Sequence, residues 1–398
     1  MASLFRASRE HRSEAIHVIS RPRGQKVAQS ASSTCPLAMS PPDGLACSPV
    51  DSYISSGPRT SLDSNFSDVS ISSSLSELHP HFLPTPTPTP NACSLVRQPL
   101  PDEHASFLQK ALKKLRPGQP LPARKVRHLG RGGVGDVHLM ELDLPDGGRL
   151  QIAQKSIVCR RYNAARHARE VAAMEIAAAC PFVLRVYGSS HPGKAPYALY
   201  TEFAPLGSLH DLIERRRSAG GGPGSGRAPY FDEQEVRWLA ARVLAALTHI
   251  HQLGMVHRDV SPHNIYRTAS GHPLLADFDA AELVDEEGLV YGSAGRIATA
   301  APEVRAAAYG GGSYGTKSDI WSLGAVMLEM VSDQQVSDGP RLEGCSEELR
   351  NLLLEGLLVP QHKRLDSSAA MHHPFFGGVD WQALEFEEAP PGLREEGL

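Results

Sequence analysis

The chain has no run of apolar residues approaching the ~18 that a membrane-spanning helix needs, so no membrane span and no membrane partner is expected. It has almost no charge bias either: 40 Lys and Arg stand against 44 Asp and Glu, a formal net charge of -4. Nothing in that balance calls for a nucleic acid as partner. Cysteine is sparse, and the six present (Cys35, Cys47, Cys93, Cys159, Cys180 and Cys345) never form a C-x-x-C pair. With no apolar leader before them, a disulfide framework or a zinc site is not expected, and the thiols read as reduced.

What is present divides the chain. From Met1 to about Pro101, Ser, Pro and Thr dominate and aromatic residues are few. Such a segment cannot bury enough apolar surface to offset its ordering entropy, so 1–101 is expected to be a disordered tail. Within it PTPTPTP (Pro84 to Pro90) favours extended polyproline conformations. Each Thr before Pro is a site type for a proline-directed kinase, so the tail could meet a regulatory partner, although a spacer would look the same. The opening MASLFRASREHRSE is rich in Arg and Ser like an organelle leader, but Glu10 and Glu14 oppose that reading. A cytoplasmic location is the expectation, with organelle import and a nuclear location left open.

Order is expected from Asp102, read as the cap of a helix in which Phe107, Leu108, Ala111, Leu112 and Leu115 recur at helical spacing until Pro117 and Gly118. This lead-in, 102–123, reads as packing on the following domain rather than docking a partner. Apolar residues alternate between Asp136 and Lys155 around Pro145-Asp146-Gly147-Gly148, which predicts two strands and a turn. The stretch Ser218 to Pro229 reads as a solvent loop. A long helix is predicted from Asp232 to Leu253, with Asp232 and Glu235 as a capping box and Gly254 as its stop. Another, from Ile320 to Val331, is apolar all round and hence buried. Strands first and helices later predict a small β-rich lobe and a larger helical one.

Three sets of residues carry chemistry. Gly130-Arg131-Gly132-Gly133-Val134-Gly135-Asp136-Val137 has glycines spaced to let backbone amides approach phosphates. A dinucleotide-binding fold shares that spacing but needs a helix next, and here a hairpin follows. Ile152-Ala153-Gln154-Lys155 ends the second strand, so Ala153 and Lys155 share a face: a small residue for adenine and an ammonium for phosphates. Glu170, in the helix-like stretch after it, is the partner that would hold Lys155 charged and oriented, with Glu175 as the alternative. Last come His257-Arg258-Asp259-Val260-Ser261-Pro262-His263-Asn264, Asp277-Phe278-Asp279 and Ala301-Pro302-Glu303.

In that order and spacing these motifs resemble the eukaryotic-type protein kinase family, over about two thirds of the chain. The resemblance implies an α+β, bilobal kinase fold at 124–381, with a β-rich N-lobe (124–203), a helical C-lobe (204–381) and an acidic tail at 382–398. It implies ATP and Mg²⁺ as cofactors and a protein Ser or Thr hydroxyl as acceptor. Asp259 would orient that hydroxyl and accept its proton, Lys155 and Glu170 would complete the catalytic set, and Asn264 and Asp277 would hold the metal. Gly130, Gly132, Gly135, Val137, Ala153 and Lys155 would surround the nucleotide, with Thr201 as a small gatekeeper and the backbone at Glu202 and Ala204 holding adenine. His257 and Phe278 would join an internal spine, Arg258 would read a phosphate or acid on the activation segment, Asp319 would brace the catalytic loop, and Arg364 would pair with Glu303.

Four features depart from the family pattern. Ser261 stands where a Lys is usual, Asp279 where Gly is usual, Gly295-Arg296 replaces Gly-Thr, and Ser332 to Glu347 is short for a substrate-docking helix. The missing cation predicts slow transfer, and Asp279, less able than Gly to visit positive φ, predicts a segment that is harder to flip. A pseudokinase scaffold is therefore the alternative reading, with small-molecule phosphotransfer a third. A phosphate on Tyr291, Ser293 or Thr299 is a candidate means of ordering the activation segment.

Overall fold

A computed structural model describes residues 96, 100–115, 119, 121–159, 162–190, 196–219, 230–309, 312–332, 336 and 342–394. The expected tail with its PTPTPTP run, Pro117 and Gly118, most of the glycine-rich loop before Tyr230, and most of 333–341 lie outside them.

In the β-rich lobe, helix α1 (Asp102–Lys113) precedes strands β1 (Arg124–Arg131), β2 (Gly135–Asp143) and β3 (Arg149–Ile157), helix α2 (Ala164–Ala177), and strands β4 (Val186–Ser189) and β5 (Ala198–Glu202). The strands form one antiparallel sheet in the order β1-β2-β3-β5-β4. The β2–β3 hairpin closes at the expected residues, with the Leu144 N–H donating to the Gly148 carbonyl at 2.9 Å and Gly147 at φ +82. Strand alternation then sorts β3. Ile152 is buried beneath α1, while Lys155 reaches the opposite side towards α2.

Helix α1 covers the outer sheet face. Leu108 and Leu112, with Leu115 just past the helix end, pack with Met140, Leu142, Ile152, Ala198 and Tyr200. Its start differs from expectation: Pro101 occupies the cap position without a side-chain bond, and Asp102 is the first helical residue. Proline suits this boundary because its missing N–H is one the first turn leaves unbonded anyway. Leu108 is 1% exposed, so Leu108→Ala is expected to cost about 2–4 kcal/mol in urea unfolding; a loss under about 0.5 kcal/mol would mean that the helix is not docked.

The helical lobe contains α3 (Leu209–Ser218), α4 (Glu233–Gln252), the short strands β6 (Met255–Val256), β7 (Ile265–Arg267), β8 (Pro273–Leu275) and β9 (Glu282–Leu283), α5 (Pro302–Ala307) and α6 (Lys317–Val331). Asp232 and Glu235 form the capping box of α4, and Gly254 ends it at φ +70. In α6 only Lys317 and Glu329 escape burial, as an all-round apolar helix requires. The architecture is the α+β, two-lobed one expected. Burial continues past the expected boundary at Trp381: Leu384, Ala389 and Leu393 are packed in the core. Arg242 donates to the Leu384 carbonyl at 2.8 Å and pairs with Glu387 at 2.7 Å, while Arg216 donates to the Gly392 carbonyl at 2.6 Å. No described helix is long and apolar enough to cross a membrane.

Candidate active site

Lys155 is brought to the centre by strand register. Its Nζ lies 2.8 Å from Glu170 Oε1 and 2.8 Å from Asp277 Oδ1. Glu170, not Glu175, is the partner: its side chain is fully enclosed, whereas Glu175 faces outwards on α2. Burial opposes the Lys155 charge, but Asp277 and Glu170 outweigh it and hold the ammonium well above the usual lysine value. Burial likewise opposes the Asp277 charge, and Lys155 holds that carboxyl below the usual range. The second Glu170 oxygen accepts from the Tyr162 hydroxyl, which also meets His167 Nδ1 at 3.1 Å. Tyr162 was not foreseen from the sequence.

The glycine loop lies between β1 and β2. The Gly132 N–H donates to the Gly135 carbonyl at 2.8 Å, and the Val134 carbonyl accepts from the N–H groups of Val158 and Cys159. A Cβ at Gly130 would meet nothing within 4 Å and one at Gly132 only the Gly135 carbonyl oxygen at 3.8 Å, so packing does not require glycine at either position. Gly135 serves differently: a Cβ there would lie 1.9 Å from the Ser156 carbonyl oxygen, so this glycine permits the close approach of β2 and β3. Val137 pairs with Lys155, and Ala153 with Leu139 and Thr201. At the connection between lobes the Glu202 N–H donates to the Arg185 carbonyl at 3.0 Å. The Glu202 carbonyl accepts from the Thr201 hydroxyl at 3.2 Å and the Ala204 carbonyl from the Gly207 N–H at 3.3 Å, while among the described residues no hydrogen bond from the Ala204 N–H is formed.

The catalytic loop hangs between α4 and α6. Asp319, buried at the start of α6, accepts from the N–H groups of His257 (2.8 Å) and Arg258 (2.9 Å) and faces His251 at 2.9 Å. His257 packs edge-on against Phe278 with ring centroids 4.8 Å apart. Its Nδ1 accepts from the Asp259 N–H at 3.3 Å while Nε2 meets the Ala276 carbonyl at 3.1 Å, the pattern of a neutral imidazole. Arg364 meets Glu303 at 2.5 Å. Arg258 is already engaged with an acid of the activation segment, Glu282, at 2.7 Å, and with the carbonyls of Ala280 and Tyr291. Of the candidate modification sites, Thr299 is buried and Tyr291 donates to Asp285 at 2.8 Å.

Asp259 is fixed at both oxygens. Oδ2 accepts from Asn264 Nδ2 at 2.8 Å and Oδ1 from the Arg296 N–H at 2.9 Å. Gly295 makes the second bond possible, since it sits at φ +81 and a Cβ there would lie 2.2 Å from the Arg258 carbonyl oxygen. Burial, and after it the charge of Asp277, pushes Asp259 up to about 7, opposed by Asn264 and by the Arg296 charge. Ser261 is completely buried and its Oγ makes no hydrogen bond among the described residues. Arg296 is thus a cation beside Asp259 in a loop whose usual cation position holds serine, a placement not legible before the fold. No cluster of three or more His, Cys, Asp or Glu side chains suited to a metal occurs among the described residues.

The fold thus carries two lobes, a glycine loop, a Lys–Glu pair and an Asp–Asn loop. The family model for the protein kinase domain matches residues 123–376, and the chain belongs to that family. It is similar to ribosomal protein S6 kinase alpha-4 of Homo sapiens, with 26% identity over 299 residues covering 67% of this chain and 37% of that protein. It is similar also to the probable cAMP-dependent protein kinase catalytic subunit of Encephalitozoon cuniculi, with 28% identity over 291 residues covering 67% of this chain and 83% of the relative. The mouse ribosomal protein S6 kinase alpha-6 matches at 26% over 294 residues, 67% of this chain and 35% of that protein. The chain therefore spans little more than a third of the S6 kinases it matches.

Proposed function

We propose that this protein transfers the γ-phosphate of magnesium-bound ATP to a Ser or Thr hydroxyl of a protein. The observation that carries the reading is Lys155 held by two carboxylates, from α2 and from the Asp277 motif, beside an Asp259 fixed at both oxygens. The donor chemistry fits the nucleotide and its metal. Asn264 and Asp277 offer hard oxygens, few in number, as Mg²⁺ prefers when phosphate and water complete its shell. Asp259 and Asp277 repel one another, and a divalent cation relieves that repulsion.

When bound, Mg-ATP supplies the phosphoryl group and a divalent charge that neutralises it. Lys155, oriented by Glu170, would hold the phosphates; Gly130, Gly132 and Gly135 shape the loop above them; Val137 and Ala153 line the adenine side. Glu202 and Ala204 would meet the adenine edge. Asp259 orients the acceptor hydroxyl and takes its proton at a carboxylate oxygen, a role suited to a group poised near neutral pH. Arg296 supplies positive charge beside it. A serine or threonine acceptor is supported by relatives named as serine/threonine-protein kinases in Caenorhabditis elegans and Dictyostelium discoideum.

A catalytically weak scaffold is the second reading, favoured by the buried Ser261. Incubation of the full chain with radiolabelled ATP, Mg²⁺ and a mixed protein substrate separates them. Transfer of label that disappears in Asp259→Asn is expected; transfer no greater than in that variant would overturn the enzyme reading in favour of the scaffold.

A further inference from the structure

The Asp277-Phe278-Asp279 turn carries two carboxylates, Asp277 towards Lys155 of β3 and Asp279 towards α2, and the reading above uses only the first. Asp279 Oδ1 accepts from Arg166 Nε and Oδ2 from Arg166 Nη2, both at 2.5 Å. The pair is largely screened from water, with side chains 29% and 11% exposed. Asp279 does not adopt positive φ; among the described non-glycine residues only Arg258 and Asp277 do. The stiffness expected of this segment therefore has a different source: an ion pair that a glycine could not make.

Arg166 stands four residues before Glu170, one turn away on the same face of α2. Its N–H donates to Asn163 Oδ1, which caps the helix, and its guanidinium lies over the Tyr162 ring, 5.4 Å from the centroid. Tyr162 in turn donates to Glu170. Arg166–Asp279 and Glu170–Lys155–Asp277 are thus two parallel ties between the same two pieces of chain. A bidentate guanidinium–carboxylate pair fixes orientation as well as distance, which a single ammonium contact does not. It has an electrostatic use too. Asp279 is close enough to act on Lys155, and without Arg166 it would be a third carboxylate competing for one ammonium.

We infer that Arg166 and Asp279 are positioning residues that hold α2 against the Asp277–Asp279 turn, and with it Glu170 against Lys155, through a direct contact that needs no nucleotide. The value of that arrangement to phosphotransfer rests on the function proposed above; the tie itself does not. Its test is hydrogen exchange on the full chain and on Arg166→Gln, Asp279→Asn and the double variant, following α2 amides, with α6 amides as the internal control for global unfolding. Each single variant is expected to raise α2 exchange about tenfold without changing α6, and the double variant to rise no further than the larger single. Addition of Mg²⁺ and a nonhydrolysable ATP analogue should restore α2 protection in the single variants and change the wild type little. Unchanged α2 exchange, additive effects, or α2 and α6 rising together would overturn the inference. Coupled exchange in a protein that binds no analogue would retain the tie and overturn the nucleotide reading instead.

Discussion

Lys155→Met is expected to destabilise the nucleotide-free protein by about 3–5 kcal/mol in addition to abolishing transfer, because removing one member of a buried ion pair strands the other. The Glu170 carboxylate is fully enclosed and would keep only the Tyr162 hydroxyl as a described hydrogen-bond partner. Asp277 would lose the cation that holds its proton affinity down. Glu170, which burial already holds above the usual carboxylate value against the opposing Lys155 charge, would rise further, so both carboxyls take up protons more readily in the variant. A carboxyl whose folded value is depressed contributes stability above its unfolded value of 3.8 and loses it as pH falls through the folded value. The deficit of Lys155→Met is thus largest near neutrality and shrinks in acid. Urea unfolding of both proteins at pH 7 and pH 3 checks it; a deficit under about 1 kcal/mol at pH 7 contradicts a lysine held between two carboxylates.

Asp259→Asn should also be inactive, yet its stability should change in the opposite direction. Asp259 rises from 3.8 to about 7 on folding, so its ionised form subtracts stability, increasingly from about pH 4 to pH 7 and constantly above. At 1.36 kcal/mol per tenfold change in proton affinity, that span bounds the cost at about 4 kcal/mol. Asparagine removes the charge but turns one acceptor into a donor facing Asn264 or Arg296, at a cost of about 1–3 kcal/mol. The variant should be the more stable protein by about 1–3 kcal/mol at pH 8 and the less stable one at pH 4. A stability difference that does not vary with pH would sink this account of Asp259. Two inactive variants with opposite stability changes also separate loss of chemistry from loss of fold.

The residues that were legible in the sequence lie in short motifs whose spacing is set locally. Gly130 to Val137, Asp259 with Asn264, and Asp277 fall into this class. Glu170 was harder, because two acids of one helix were candidates and only the rotation of α2 over β3 decides between them. Contacts between elements escaped: Tyr162 meets Glu170, and Arg296 reaches Asp259, only after distant segments fold together. Arg166 had a usable signal, since a residue four before Glu170 shares its face. Gly135 was assigned to phosphate approach by its place in a pattern, whereas a Cβ there would collide with β3. The stretch after Trp381 read as an acidic tail because Leu384, Ala389 and Leu393 follow no helical or strand period. Their burial is arranged by Arg216 and Arg242 from the large lobe.

The docking of α1 sets how short a working protein can be made. A chain begun at Arg124, where the first strand starts, would uncover Met140, Leu142, Ile152, Ala198 and Tyr200 together on one sheet face. A contiguous greasy surface of that kind promotes self-association. Recombinant fragments should therefore retain the segment from about residue 100, and end no earlier than Arg394, to remain monodisperse.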